Sequence, residues 1–145
     1  MFSSKLLQDH LITDFLGCNI IYQPQTNSTN EDAWSYYSNG SPNGTLIITD
    51  NQQKGRGRRQ NKWFSISGKS LTISFILHSE IGLEKLGLLP LLTGVSIVQG
   101  IKRTTSIQTG LKWPNDIILN RRKLGGILIE SRSIKNGLGV VIGIG

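Results

Sequence analysis

Apolar residues recur at regular intervals along much of the chain, and these intervals predict both strands and helices. Segment 70–77 has a period of two, typical of a half-buried strand whose inner face carries Leu71, Ile73, Phe75 and Leu77. Segments 19–22 and 45–50 are short and β-rich, and each predicts another strand. A longer apolar run predicts a helix over about 83–103, buried across its most apolar part, 86–101.

Capping signals mark an earlier helix, between the first two strands. Residues 28–31 read Ser-Thr-Asn-Glu, the S-x-x-E form of a capping box in which Ser28 caps the helix and Glu31 reaches back. Asn39-Gly40 then supplies residues that tolerate a left-handed conformation. We therefore expect the helix to begin at Ser28 and to end at Asn39-Gly40.

The last part of the chain predicts strands that pair with one another. Segments 116–120, 123–131 and 138–144 read as strands, and turn-forming sequences separate them at 120–123 and 133–137. This order is typical of an antiparallel meander. Because strand and helix alternate early and strands pair late, we predict an α+β fold in which helices pack on a mixed or antiparallel sheet.

Composition indicates that these elements form one globular domain, 1–145. A chain of 145 residues can bury a core, and 37% hydrophobic and 17% charged residues are ordinary globular values. The N-terminal segment lacks the apolar core of a signal peptide, and 86–101 is too short and too polar to span a bilayer. Cys18 is the sole cysteine, which suits a reducing compartment. We expect a soluble, cytoplasmic protein that does not bind membranes.

The net charge of +7 favours anionic partners, and much of it lies in one short stretch. Its cations are Lys54, Arg56, Arg58, Arg59 and Lys62. A dinucleotide-binding G-x-G-x-x-G loop is excluded because its third glycine is replaced by Gln60 and a strand follows. A Walker loop ending at Ser70 is excluded because its first glycine would fall at Trp63. A nucleic-acid-binding loop, with Trp63 stacking on a base, stays open, as does a solvated cationic turn.

A second candidate segment, 111–119, reads LKWPNDIIL. Pro114 fixes its own φ and disfavours a helical Trp113, so Lys112 lies on a stiff, extended backbone. A rigidly held cation can stabilise developing negative charge without reorganisation. The alternative is a strand-initiating Pro-Asn-Asp turn that carries an incidental lysine.

Several motifs occur in a fixed order along the chain: Ser-Thr-Asn (28–30), Gln52, Gly-Arg-Gly-Arg-Arg (55–59), Trp63, Lys-Trp-Pro-Asn-Asp (112–116), Lys-Leu-Gly-Gly-Ile-Leu-Ile-Glu (123–130) and Gly-Ile-Gly (143–145). Together they resemble the catalytic domain of biotin protein ligases, and the resemblance extends from about Asn19 to the last residue. GRGRR combined with KWPND at this separation is highly specific. The resemblance implies a class II synthetase-like fold. It also implies an ATP-dependent enzyme that forms biotinyl-5'-AMP and transfers biotin to a lysine of a biotin carboxyl carrier domain.

The matching motif positions imply roles for individual residues. The biotin-binding set would be Ser28, Thr29, Asn30 and Gln52, with Gly125 and Gly126 as the pocket floor, although a strand bulge explains these glycines equally well. The loop residues Gly55, Arg56, Gly57 and Arg58 would wrap the biotin carboxylate and the ATP phosphate. Lys112 would bridge those two groups and share catalysis with Arg56 and Arg58, while Trp63 would lie beside the adenylate. Mg²⁺ is expected with ATP. Asp116 is one candidate ligand, but a turn-stabilising role explains it at least as well, and the sequence does not identify the set of ligands.

This chain departs from the family pattern at two places. The family loop often reads GRGRRGR, whereas Gln60-Asn61-Lys62 stand here. The lost glycine is expected to stiffen the loop, and Lys62 to compensate for an arginine replaced by Asn61. Family chains also continue beyond Gly-Ile-Gly with a helix and a small β domain, so we expect an incomplete catalytic domain whose activity the sequence does not decide.

Two other functions remain as alternatives. A lipoate ligase-like enzyme shares the fold plan and the adenylation chemistry, and a basic nucleic-acid-binding module would use the positive charge alone. No helix-turn-helix segment precedes the ligase motifs, so we do not expect DNA binding. The identity of the carrier and the oligomeric state are not readable from the sequence.

Overall fold

The computed structural model describes residues 2–79, 83–134 and 137–145. These residues form a seven-stranded sheet, a two-stranded ribbon and three α-helices. The sheet contains β1 (Ile20–Thr26), β2 (Leu46–Gln52), β5 (Thr72–Ser79), β6 (Gly110–Lys112), β7 (Asp116–Leu119), β8 (Arg122–Ile134) and β9 (Gly137–Ile144). The ribbon consists of β3 (Gly55–Arg56) and β4 (Lys62–Trp63). The helices are α1 (Ser4–His10), α2 (Thr29–Ser38) and α3 (Leu89–Thr105), and 3₁₀ turns span Arg58–Gln60 and Leu83–Leu88.

The sheet has the strand order β1-β2-β5-β9-β8-β7-β6. β1 and β2 are parallel because α2 connects them as a crossover, and the other described neighbours are antiparallel. The predicted α+β fold with a mixed sheet is therefore confirmed. In the middle of the sheet, Ser74 of β5 lies opposite Gly143 of β9, and Gly143 lies opposite Leu128 of β8.

The predicted meander of the last three strands is confirmed, because β7 pairs with β8 and β8 pairs with β9. In the turn between β7 and β8, Asn120 and Arg121 have φ values of 49° and 64°, so both adopt the left-handed conformation of a tight hairpin. The other predicted turn, 133–137, contains residues that lie outside the described ranges.

Helices cover both faces of the sheet. On one face α2 packs into a cluster of buried side chains: Ala33, Trp34, Ile47, Ile76 and Val141. On the other face α3 joins a second cluster: Leu89, Ile127, Leu138, Val140 and Ile142. The predicted strand over 70–77 is confirmed as β5, and Phe75 and Leu77 of its predicted inner face pack against the second cluster. The expectation that it is only half-buried is wrong, because helices cover both faces of the sheet. Leu71 precedes β5 and is 63% exposed, whereas Thr72, Ser74 and Ile76 on the opposite face are buried.

The long apolar segment is a helix, but it is not a buried one. A 3₁₀ turn leads into α3, and Pro90 stands in its first turn, where a missing N–H costs nothing. Within α3, whose residues are described throughout, Leu89 and Gly94 are the buried positions. Apolar side chains are exposed on its outer side and at its start: Leu88, Leu91, Leu92 and Val95. The prediction of burial over 86–101 is therefore wrong, because α3 turns one face to the sheet and leaves the other uncovered. Among the described residues, no helix has the length and apolarity needed to cross a membrane.

Helix α2 begins and ends where the sequence predicted, but the capping box does not form. Ser28 is the N-cap residue, yet its buried side chain makes no capping hydrogen bond. Glu31 pairs instead with Arg56, 3.4 Å from the guanidinium Nε. The stop is confirmed, because Asn39 is the C-cap and Gly40 has a φ of 82°.

One tyrosine at the edge of the sheet has a shifted pKa. The Tyr22 hydroxyl of β1 donates a hydrogen bond of 2.6 Å to a carboxylate oxygen of Asp50 in β2. This hydrogen bond, and secondarily desolvation and the negative charge of Asp50, raise the pKa of Tyr22 above its ordinary value of 10.0.

Candidate functional site

A cavity of about 1070 Å³ opens where the basic loop, the start of α2 and the KWPND segment meet. Its volume is sufficient for a drug-sized or nucleotide-sized ligand. The predicted site residues that line it are Ser28, Thr29, Asn30, Gln52, Arg56, Gly57, Arg58, Trp63, Gly125 and Gly126. The fold therefore brings together most of the set that the resemblance implied, from segments far apart in the chain.

The basic loop forms a short ribbon that projects its cations. Gly55 pairs with Trp63 and Arg56 with Lys62, while the Gly57 N–H donates to the Asn61 carbonyl oxygen at 2.7 Å. Gly55 is buried, and a Cβ there would lie 2.5 Å from the Trp63 carbonyl oxygen, so only glycine fits. At the tip, Arg59 and Gln60 have φ values of 53° and 64°. Gln60 thus adopts a left-handed conformation that favours glycine, at the position where the family pattern has one.

Trp63 lies across the glycines of the neighbouring strands. A Cβ at Gly126 would be 3.3 Å from the Trp63 ring, and one at Gly145 would be 2.5 Å from its Nε1. The Lys123 ammonium lies 5.2 Å from the centre of the same ring, within reach of a cation–π interaction, and 2.8 Å from Asp116 Oδ1. Small residues therefore provide a flat surface on which Trp63 closes one wall of the cavity.

The two segments that the sequence singled out contact each other directly. The Arg58 guanidinium donates a hydrogen bond of 3.1 Å to Asn115 Oδ1 in the KWPND segment. Asn115 is itself held in place, since its Nδ2 donates to the Ile127 carbonyl oxygen at 2.9 Å. The peptide bond between Trp113 and Pro114 is cis. Lys112 ends β6 and is exposed, and neither Lys112 nor Gly55 is among the described residues that line the cavity. The bridging role of Lys112 stays a prediction.

The start of α2 is tied to β2 and β5 by polar side chains. Gln52 Oε1 accepts from the Thr29 N–H at 2.7 Å and lies 3.0 Å from the Thr29 hydroxyl. The Ser74 hydroxyl lies 2.8 Å from Thr29 Oγ1 and 2.7 Å from Asn30 Oδ1. The amide groups of Asn30 and Gln52 are thereby oriented before any ligand is present, which lowers the entropy cost of binding.

Two carboxylates hold Arg56 at the mouth of the cavity. Its Nε lies 3.4 Å from Glu31 Oε1, and its Nη2 lies 3.3 Å from Glu130 Oε1. The second oxygen of Glu130 accepts from Asn30 Nδ2 at 2.9 Å and from Trp34 Nε1 at 3.3 Å. Arg56 is therefore fixed in orientation, although its side chain is 43% exposed.

Three residues at the site were not predicted: Asn115, Lys123 and Glu130. Asn115 and Lys123 lie inside the sequence motifs that carry the family resemblance. A polar residue next to Pro114 could have indicated Asn115, and a cation next to two glycines could have indicated Lys123. Glu130 also ends a quoted motif, but its contacts depend on how β8 packs against α2. Among the described residues, no group of three or more His, Cys, Asp or Glu side chains could hold a metal ion.

Comparison with known proteins assigns the fold. A family model described as the biotin/lipoate A/B protein ligase family matches residues 22–145. The chain belongs to this family. Its α+β core is therefore that of a biotin/lipoate ligase catalytic domain.

Within the family, the chain is similar to biotin ligases of several organisms. It is 42% identical over 136 residues to the bifunctional ligase/repressor BirA of Bacillus spizizenii, a match that covers 93% of this chain and 42% of the Bacillus protein. It is 33% identical over 150 residues to the chloroplastic biotin–protein ligase 1 of Arabidopsis thaliana, covering 99% of this chain and 40% of the plant protein. The chain thus spans less than half the length of these relatives.

Solved structures show the same arrangement of the polypeptide. A biotin protein ligase from Aquifex aeolicus, in complex with biotin and ATP, superposes with a TM-score of 0.73 at 34% identity, over 87% of this chain and 50% of that one. The Leishmania major biotin protein ligase, in complex with biotinyl-5-AMP, also gives a TM-score of 0.73, at 26% identity, over 87% of this chain and 56% of that one.

Proposed function

We propose that this chain carries the site at which biotin and ATP react to biotinyl-5'-AMP, and from which biotin passes to a lysine of a carrier domain. The observation that carries the proposal is the contact of Arg58 with Asn115, which joins the cationic loop to the KWPND segment at the cavity. The relatives solved with biotin, ATP or biotinyl-5-AMP support this choice of substrates.

The first step brings one anion to another. A carboxylate oxygen of biotin attacks the α-phosphorus of ATP, the new O–P bond forms, and the bond to the leaving pyrophosphate breaks. Two unit charges about 4 Å apart repel by about 4 kcal/mol at an effective dielectric of 20. Arg56 and Arg58 would neutralise this charge from fixed positions, and Lys123, which also lines the cavity, would add a third cation. Lys112 would bridge the two reacting groups.

The biotin end of the site would use the oriented polar groups at the start of α2. Ser28, Thr29, Asn30 and Gln52 would face the ureido ring, and Gly125 and Gly126 would allow the bicyclic ligand to lie close to the sheet. Trp63 would cover the mixed anhydride and exclude water. In the second step the carrier lysine amine attacks the acyl carbon, AMP leaves, and the amine loses a proton.

Magnesium fits this site as an ion carried by the nucleotide. Mg²⁺ usually keeps several waters and takes one or two carboxylates together with substrate phosphates. Asp116 is the candidate carboxylate, because it lines the cavity. When bound, the ion would neutralise phosphate charge.

We further propose that the carrier is the biotin carboxyl carrier domain of a carboxylase and that the reaction occurs in the cytoplasm.

Ligand titrations test the proposal. A ligand at 100 times its Kd stabilises the folded state by about 2.7 kcal/mol, which for a domain of this size raises Tm by roughly 5–10 °C. We expect this rise with biotin, a larger rise with biotin and ATP together, and no comparable rise with lipoate. Stronger stabilisation by lipoate than by biotin would instead identify lipoate as the substrate. If the protein instead shifted RNA on a gel in a salt-sensitive manner and did not respond to biotin, the function would be that of a nucleic-acid-binding module.

A further inference from the structure

Glu130 does not itself line the cavity but contacts two residues that do, Arg56 and Asn30. Its side chain is 27% exposed, and its two carboxylate oxygens contact residues on two different elements. Oε1 faces Arg56 Nη2 of the basic loop at 3.3 Å, and Oε2 accepts from Asn30 Nδ2 of α2 at 2.9 Å. Trp34, also on α2, donates its indole N–H to Oε2 at 3.3 Å.

These contacts continue as an unbroken series into the biotin end of the site. From Glu130 the series passes to Asn30, then to Ser74 at 2.7 Å and to Thr29 at 2.8 Å. Thr29 ends the series at Gln52 Oε1. One carboxylate therefore connects the guanidinium proposed to meet the phosphate with the polar groups proposed to meet biotin.

A carboxylate beside an anion-binding cavity has two opposed effects. Its charge repels the incoming phosphate, which lowers affinity. Its hydrogen bonds restrict Arg56 and Asn30 to one orientation, which raises affinity because less side-chain entropy is lost on binding. Arg56 has a second carboxylate partner, Glu31, which makes no hydrogen bond to Asn30, so the orienting effect of Glu31 is confined to Arg56.

We propose that Glu130 is a positioning residue that fixes Arg56 for the phosphate with one oxygen and Asn30 for biotin with the other. The proposal deepens the function argued above and rests on it. Orientation outweighs repulsion here, because Glu130 holds two ligand-facing groups at once and Glu31 holds one.

Glu130→Gln separates the two halves of this role. A glutamine carbonyl oxygen still accepts from Asn30 and Trp34, but its NH₂ group then faces the Arg56 guanidinium and cannot accept from it. Calorimetry at 25 °C with biotin and with biotinol-5'-AMP, a stable phosphate ester related to the adenylate, measures each half. The affinity ratio, defined as the affinity for biotinol-5'-AMP divided by that for biotin, reports what the phosphate and nucleotide add to binding. A general loss of stability does not change this ratio.

For Glu130→Gln we expect biotin affinity within about twofold of wild type and an affinity for biotinol-5'-AMP about tenfold weaker, equivalent to about 1.4 kcal/mol. Glu84→Gln, the matched control, removes one negative charge at an exposed position that does not line the cavity, and it leaves both affinities within about twofold. Trp34→Phe removes one donor to Glu130 but keeps the carboxylate, so the affinity ratio stays at the wild-type value. Urea denaturation of each variant confirms that it is folded.

Several results would overturn the proposal. They are equal losses for both ligands in Glu130→Gln, an equal effect of Glu84→Gln, tighter binding of biotinol-5'-AMP by Glu130→Gln, or a lowered affinity ratio in Trp34→Phe. Wild-type protein that binds neither ligand would overturn the proposed function and this inference with it. Wild-type protein that binds both, with no separation in Glu130→Gln, would leave the function standing and reject the role of Glu130 alone.

Discussion

Replacing Gly143 by alanine should destabilise the protein strongly, although Gly143 lies in a regular strand and its φ is not positive. The added methyl group would collide with Asn30 Oδ1 and lie 3.0 Å from Asn30 Cγ. Asn30 cannot retreat freely, because Ser74 holds its oxygen at 2.7 Å and Glu130 holds its nitrogen at 2.9 Å. Overpacking costs about 1–3 kcal/mol, and each lost buried hydrogen bond adds about 1 kcal/mol. Alanine recovers about 0.5–1 kcal/mol of backbone entropy, so we expect a net loss of about 2–4 kcal/mol.

Urea denaturation of matched variants measures this loss. Gly100→Ala in α3 is the control, because no atom lies within 4 Å of a Cβ built there, and it should stabilise the protein by about 0.5–1 kcal/mol. In an Asn30→Ala background the collision is removed, so Gly143→Ala should cost at least about 1.5 kcal/mol less than in the wild type. An unfolding free energy for Gly143→Ala within about 0.5 kcal/mol of wild type, or full additivity with Asn30→Ala, would refute the steric reasoning.

Three further outcomes are expected. Gln60→Gly relieves a left-handed conformation (φ 64°) and should raise the free energy of unfolding by about 0.5–1 kcal/mol, whereas Gln53→Gly, where φ is not positive, should lower it. Lys112→Ala should slow adenylate formation, followed by pyrophosphate exchange, far more than it weakens calorimetric biotin binding; equal losses would contradict bridging. The raised pKa of Tyr22 contributes stability that is present below pH 10 and is lost as pH rises through the folded-state value, so Tyr22→Phe should flatten the alkaline decline in Tm.

Local signals predicted the elements of the fold well, because each depends on neighbouring residues. The Asn39-Gly40 stop and the three paired strands of the meander are confirmed for this reason. For β5 the period of two identified one packed face, with Phe75 and Leu77, but it did not reveal that the opposite face is buried as well, because that depends on a helix distant in sequence. The capping box failed because Glu31 found a distant partner, Arg56, that no local pattern announces.

For the candidate site, the sequence predicted which residues take part but not how they contact one another. The motifs contain most of the residues around the cavity, because glycines next to clustered arginines in a loop are typical of an anion-binding site. The contacts between them, such as Arg58 with Asn115 and Glu130 with Asn30, depend on the packing of segments distant in sequence. Their geometry had to come from the structure.

The uncovered outer side of α3 has a practical consequence. Leu88 and Leu92 are 61% and 62% exposed, and Leu91 lies beside them at 49%. Surfaces of this kind adhere to one another and to hydrophobic dyes once the protein is concentrated, so light scattering that grows with concentration is to be anticipated during purification. Samples for the calorimetric measurements are best kept dilute and checked for monodispersity, so that heats of self-association are not mistaken for heats of ligand binding.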